Sequence, residues 1–419
     1  MATPADQRTR CCVVGGGPAG MMLALLLARA GVAVTVLEKH GDFLRDFRGD
    51  TVHPSTLSII DELGLREAFD ALPQHRIQHL QALVGDLRLP IVDFRGLKPY
   101  DYLALVPQWD FLDMLAAAGR RLPGFDLRMR HKATGLIRDG GCVRGVNVEG
   151  PDGSYTLHAD LVVACDGRGS TIRAAAGLEA RHYGAPMDVL WFRLPRLDSD
   201  PLDTFGIVNH GHMMVLLNRK TYWQVAYLVP KGGDHALRAQ PIGVLRTSVA
   251  TLAPFLAGRG DSIASWDAVS TLTVQVDRLP RWHQRGLLLI GDAAHAMSPI
   301  GGVGINLAIQ DAVAAANALA APLREGGEIV EALLAQIQQR REWPVRVVQR
   351  AQMIMQDRLV SRALAASGKP PHVPALLRWL LGFRAVRHIP ARLFGYGLRR
   401  EHVRCGPPAD AEDGSPRSS

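Results

Sequence analysis

Apolar residues fall in short runs separated by glycine turns, and the period of the pattern changes along the chain. Cys11 to Val14 is a continuous apolar run of strand length, Gly15 to Gly20 is a glycine turn, and Met21 to Arg29 is an apolar helix closed by Gly31. Val32 to Leu37 follows as a second strand that ends at Glu38. Strand, turn, helix and strand within about 30 residues make a βαβ unit. In the middle of the chain an apolar strand, Leu161 to Ala164, runs into CDGRGSTIR, spaced as a strand-to-helix turn would space it. Gly286 to Ile290 is another buried strand, which opens through GDAAHAMSPIGG into a long alanine-rich helix beginning near Ile305.

Between these two motifs, over residues 181–280, the texture becomes alternating and aromatic: MDVLWFRL, MMVLLN, YWQVAYLV and STLTVQV read as an antiparallel sheet. Alternation predicts Trp191 and Arg193 on one face and Tyr222, Gln224 and Ala226 together on another, so that one face could roof a pocket. The expected fold is therefore α/β. A Rossmann-like dinucleotide-binding domain (1–180 and 281–340) carries an inserted antiparallel-sheet substrate domain (181–280), a helical C-terminal region (341–405) and a disordered tail (406–419).

Composition narrows the function classes. With 419 residues, 47% hydrophobic and 21% charged, the chain can bury a large core. Five cysteines without CxxC or Cys/His ligand spacing are read as reduced and buried, which points to a cytoplasmic protein without a metal site. The polar start MATPADQRTR leads into an apolar run too short for a signal-peptide core, and no uninterrupted apolar stretch has membrane-spanning length. The net charge of +8 is carried by scattered residues without a recognition motif, so nucleic-acid binding is not expected. A basic surface that attracts an anionic nicotinamide nucleotide accounts for the same charge. The apolar and arginine-rich stretch Leu376 to Leu398 could lie on a membrane surface as a peripheral contact, but a packed helix with solvated arginines is the preferred reading.

The chemistry starts at GGGPAG. Gly15 permits the tight turn, Gly17 lets a pyrophosphate approach the backbone, and Gly20 lets helix and strand pack closely. Phosphates would sit on the N–H groups that open the helix, beside Pro18 and Ala19, and Glu38, followed by Lys39, would accept the ribose hydroxyls of an adenosine. In a chain with 42 glycines the spacing means little alone, and its strand–turn–helix context gives it weight. At DGRGSTIR, an Asp or Ser that caps a new helix is a sufficient alternative to a ligand contact.

Taken in order, GGGPAG with Glu38, DGRGSTIR, and GDAAH…PIGGVGINLAIQDA resemble the FAD-dependent aromatic hydroxylases of the para-hydroxybenzoate hydroxylase and ubiquinone-biosynthesis hydroxylase type, to about residue 340. The resemblance implies a non-covalent FAD, with Asp292 on the ribityl chain and the backbone N–H groups of Gly304, Ile305 and Asn306 at the pyrimidine edge of the flavin. It implies Arg48 and Gln108 as further cofactor contacts, and Asp166 and Arg173 as serving both the FAD site and the nicotinamide path. No second glycine fingerprint exists for NADH or NADPH, so the reductant would bind transiently, and oxygen would reach a small aromatic, polyketide or quinone-like substrate through a flavin C4a-hydroperoxide. No catalytic residue is assigned. The pocket candidates are His53, Arg193, Tyr222, Gln224 and Pro299, and His295 is read as structural. The run from Trp191 to Pro195 resembles the flavin-halogenase signature only in part. A halogenase, epoxidase or prenyl-chain reductase on this fold, or a non-catalytic flavin protein, stays an alternative, and the oligomeric state is left open.

Overall fold

The computed structural model describes residues 7–44, 51–209, 211–361, 363 and 373–406. The first strand, Gln7–Val14, pairs in parallel with Val34–Glu38 on one side and Gly153–Ala164 on the other. Phe125–Met129 extends the sheet beyond Val34–Glu38, and Leu287–Leu289 extends it beyond Gly153–Ala164, again in parallel. Helix Pro18–Arg29 starts on a proline, whose missing N–H is no loss in a first helical turn, and is buried from Ala19 to Ala28. It shares one core with helices Gln108–Gly119 and Gly304–Glu325, which explains its apolar character all round. Strands Lys132–Asp139 and Cys142–Gly150 continue the sheet in antiparallel fashion from Gly153–Ala164, and His283–Gln284 pairs antiparallel with Leu287–Leu289 at the outer edge, for eight strands in all.

A second sheet of seven strands runs in the order Ser270–Leu272, Met187–Pro195, Tyr222–Pro230, His212–Asn218, Phe205–Asn209, His79–Val84, Leu87–Asp93. Here the expected boundary needs correction, because the sheet is not confined to 181–280. The hairpin 79–93 comes from within the N-terminal part and pairs in parallel with Phe205–Asn209, closing what would otherwise be an exposed edge. The expected assignment of faces also needs correction. Trp191 lies opposite Ala226 and Arg193 opposite Gln224, and directly opposed residues of an antiparallel pair point to the same side, so both sets share one face. The other face, with Leu190, Phe192, Leu194, Trp223 and Val225, packs against the helix Gly243–Leu252.

The C-terminal region is helical, but residue 340 is no break. Helix Glu331–Met355 runs through it with Pro344 inside. The short helices Ala375–Gly382 and Arg384–Pro390 lie over strand Leu87–Asp93, and the former buries none of its residues. The expected tail falls, from residue 407, outside the described residues. Among the described residues one helix, Ile300–Glu325, is long and apolar enough to cross a membrane, and 78% of its apolar window is buried in the fold.

Candidate functional site

The glycine turn is built from backbone constraints. Gly15 has φ +105°, and a Cβ there would stand 2.5 Å from the Cys165 carbonyl oxygen. A Cβ on Gly20 would stand 2.0 Å from the Gly15 oxygen, whereas one on Gly17 would meet nothing within 4 Å. Gly17 therefore borders open space at the start of helix Pro18–Arg29, whose first turn no side chain caps. Open space, free helix N–H groups and the positive end of a helix dipole are what a pyrophosphate requires. At the end of the second strand Glu38 is buried, and its carboxylate accepts the N–H of Gly16 at 2.9 Å and of His40 at 3.0 Å. These bonds fix the carboxylate against the turn, and Lys39 beside it is exposed.

The second motif folds onto the third. Asp166 accepts the Ser170 hydroxyl at 2.5 Å and the Ile172 N–H at 3.2 Å, and Ser170 Oγ accepts the Arg173 N–H at 2.9 Å. This is the helix-capping arrangement, and it engages Asp166 locally. Burial pushes the Asp166 carboxyl up, against the pull of those hydrogen bonds. Arg173 donates to the Ala293 carbonyl at 3.2 Å. Arg168, which the sequence reading did not single out, donates to Asp292 Oδ2 at 3.0 Å and to the Met297 carbonyl at 3.2 Å. Its position inside DGRGSTIR was the available signal. Gly291 packs the third motif against the first, since a Cβ there would come within 3.2 Å of both Ala19 and Ala308.

Helix Gly304–Glu325 begins without a side-chain cap, so the N–H groups of Gly304, Ile305 and Asn306 open it without intrahelical partners. The Asn306 side chain has a different task. Its oxygen accepts the His53 N–H at 2.9 Å and the Thr56 hydroxyl at 2.7 Å, and its nitrogen donates to the carbonyls of Thr51 and Gly302 at 3.2 and 3.3 Å. This clamp holds the residue 51–56 segment against the start of the helix. His53 is buried, neither ring nitrogen has a hydrogen-bond partner, and burial lowers the imidazole to about 4 despite the raising influence of the Gly301 and Gly302 backbone. It is thus a neutral polar group buried beside the Gly301 and Gly302 backbone, just ahead of the uncapped helix start. Pro299 is half-buried and accepts the Gly302 N–H at 3.0 Å. Gln108 is half-buried at the first position of its helix, and Arg48 lies outside the described residues.

On the sheet, Trp191, Met213 and Val215 pack against an apolar cluster that includes Val189, Ala226 and Leu228, and Ile300 of the segment that leads into the long helix packs against the same cluster. The face that carries Arg193, Tyr222 and Gln224 is therefore the one turned toward the third motif. The Arg193 guanidinium lies 4.8 Å from the Tyr222 ring centre, and buried Gln224 accepts from Arg219 at 2.8 Å. The Trp191 indole N–H is buried without a partner. No group of three or more metal-ligating side chains occurs among the described residues.

Behind the third motif lies a buried charge network that sequence reasoning missed. Asp311 accepts from His295 Nε2 at 2.5 Å, from the Gly291 N–H at 3.2 Å and from Arg341 Nε at 2.9 Å. Burial would raise the Asp311 carboxyl, but His295 and Arg341 outweigh it and hold it below the usual carboxylate range. Arg341 continues to Glu401, which also receives Arg340, and the Glu401 N–H bonds Gln310. The His295 ring stacks 4.8 Å from Trp282, in keeping with a structural role.

An open cradle at Gly17, a carboxylate fixed at the second strand end, and a second uncapped helix start beside buried His53 together fit a long dinucleotide such as FAD. A family model described as an FAD binding domain matches residues 8–351. Among the relatives, 6-methylpretetramide 4-monooxygenase from Streptomyces rimosus is 33% identical over 407 residues, 96% of this chain and 96% of that protein. Para-nitrophenol 4-monooxygenase from Pseudomonas sp. (strain WBC-3) is 28% identical over 75% of this chain and 78% of its own length. Of the solved structures, p-nitrophenol 4-monooxygenase from Pseudomonas putida DLL-E4 superposes with a TM-score of 0.76 at 22% identity, covering 94% of this chain and 100% of that one, a likeness that shows the fold. The chain is thus a member of the FAD binding domain family and an FAD-dependent monooxygenase.

Proposed function

We propose that the enzyme takes electrons from NADH or NADPH and hydroxylates a flat aromatic, polyketide-like or quinone-like molecule held between the sheet and the cofactor. The observation that supports this reading is the pairing of two surfaces. One is the uncapped start of helix Gly304–Glu325, and the other is the sheet face whose apolar cluster, with Val189, Ala226 and Leu228 at its centre, also takes in Ile300 just ahead of that helix. The S. rimosus relative, alike over nearly its full length, is named for oxygenation of 6-methylpretetramide, which favours a substrate of comparable aromatic character.

Bound FAD would supply the redox chemistry and oxygen activation. The chain's own residues position and stabilise. Gly17, Pro18, Ala19 and Gly20 would receive the pyrophosphate, Glu38 the adenosine ribose, and Asp292, held by Arg168, the ribityl chain. The N–H groups of Gly304, Ile305 and Asn306 would turn the positive end of the helix dipole toward a bound flavin, whose ring system gains negative charge on reduction. His53 is neutral at pH 7, so it can offer a hydrogen bond to the ring edge without adding charge. The apolar part of the sheet face excludes water, and Arg193, stacked on Tyr222, would pair with a phenolate or carboxylate of the substrate.

The test is to supply purified holoenzyme with NADH or NADPH and a panel of phenols, polyketides and quinone precursors, then measure oxygen uptake and product together. Stoichiometric oxygen uptake with hydroxylated product is expected. Turnover that demands halide, or reduction without oxygen uptake, would replace this reading with that of a halogenase or a reductase.

A further inference from the structure

From Arg358 to Arg400 the chain carries eight arginines and Lys369 but no aspartate or glutamate. Within that stretch helix Ala375–Gly382 exposes its apolar side chains. Leu376 is 66% exposed, Trp379 62% and Phe383 47%, and their spacing of three and four residues sets them in one stripe. The Trp379 and Phe383 rings stand edge to face at 4.7 Å, which holds the stripe together as a ridge, and Ile389, 62% exposed, continues the apolar surface along the next helix. A packed surface helix should turn such a stripe inward. This one does the reverse, because the helix lies over Leu87–Asp93 without burying any of its own residues.

The attachment beneath is specific. Asp93, 1% exposed, accepts from Arg95 at 2.8 Å and sits 3.7 Å from Arg384 and 3.9 Å from Arg387. Arg384 also donates to the Arg95 carbonyl at 2.6 Å. Buried Asp93 is thereby paired with arginines, while exposed Arg378 flanks the ridge on the same helix.

We propose that this face is a docking surface for an anionic lipid bilayer, with Leu376, Trp379 and Phe383 entering the interface and the surrounding arginines meeting the headgroups. Charge complementarity selects this occupant. A second copy of the chain would bring two like-charged faces together, and an electrically neutral protein partner would leave the arginines unpaired. An aromatic and aliphatic ridge bordered by arginines matches both layers of a membrane interface, apolar below and anionic above.

The measurement is flotation of the full-length protein with vesicles of phosphatidylcholine and phosphatidylglycerol, against vesicles of phosphatidylcholine alone, at low and high salt. Binding to the anionic vesicles is expected, with a drop of about tenfold for Trp379→Ser and about fivefold for Arg378→Gln, and with melting temperature and FAD content unchanged. Should Trp379→Ser lower the melting temperature, Leu376→Ser reads the same apolar contribution at a position with fewer contacts. Absence of flotation on anionic vesicles at low salt overturns the proposal. So does flotation that Leu376→Ser and Trp379→Ser leave untouched, which would be plain electrostatic adhesion, or a dimer that those variants dissolve while vesicles go unbound.

Discussion

At the scale of single residues, the glycine turn separates folding from binding. Gly20 is required by the fold, since a Cβ would meet the Gly15 carbonyl at 2.0 Å, while Gly17 has φ −76° and open space beside it. Gly17→Ala should change the stability of the FAD-free protein by about 0.5 kcal/mol or less and weaken FAD by about 1–3 kcal/mol. Gly20→Ala should destabilise the fold itself by more than about 3 kcal/mol. Melting curves with and without FAD check both, and a Gly17→Ala protein that keeps full FAD affinity would move the pyrophosphate elsewhere. His53 makes a pH prediction. Its folded value, about 4, lies below the ordinary 6.5, so the unfolded chain binds the extra proton first and stability is lost as pH falls from about 6.5 to about 4. The loss attributable to His53 should be on the order of 3 kcal/mol in the FAD-free protein. His53→Phe, which cannot titrate, should flatten that part of the stability–pH curve in chemical denaturation.

At the scale of elements, the three motifs were legible because each is a local event, a strand running into a turn and a helix within a few residues. What was not legible depends on pairing across the chain. The hairpin 79–93 alternates like any strand pair, and nothing in it announces that its partner is Phe205–Asn209. The faces of Met187–Pro195 and Tyr222–Pro230 needed the register, which local alternation leaves open by one residue. Asp166 was legible as a helix cap or a ligand contact, and the hydrogen bonds of the cap are present. With the register known, Arg193 and Tyr222 form one unit on one face, which sharpens a test. Tyr222→Phe keeps the ring under Arg193 and removes only the hydroxyl, whereas Arg193→Ala removes the charge. Arg193→Ala should lower substrate-stimulated NAD(P)H oxidation about tenfold in kcat/KM with FAD content unchanged, and Tyr222→Phe should cost less. A fall in melting temperature at unchanged kcat/KM would make the pair a packing contact instead.

At the scale of the molecule, the site is held from behind by charges that a sequence reading takes for solvated surface. Arg340 and Arg341 look alike in the sequence, yet Arg341 is 1% exposed between Asp311 and Glu401. Replacing one member of such a buried group strands the others. Arg341→Met should cost about 3–5 kcal/mol, read by urea denaturation, and should lower FAD occupancy because Asp311 also holds the Gly291 N–H and His295. Full stability in this variant would mean that water or a rearranged Arg340 takes over the carboxylates.

Glu401 closes this network from the far end of the chain, and the parallel sheet is completed by Leu287–Leu289, more than two hundred residues after the glycine turn. Contacts between such distant segments form late, after the entropy of closing the intervening loop has been lost. During synthesis the glycine turn leaves the ribosome long before Asp292, the helix at Gly304 or Glu401 exist. On the proposed placement of FAD, the turn that would cradle the adenosine end is then present without the half that would grip the flavin. Cofactor capture would be deferred until the helical segment that carries Glu401 has docked, so a chain interrupted before Asp292 should emerge colourless, and yellow colour should report that both halves are in place.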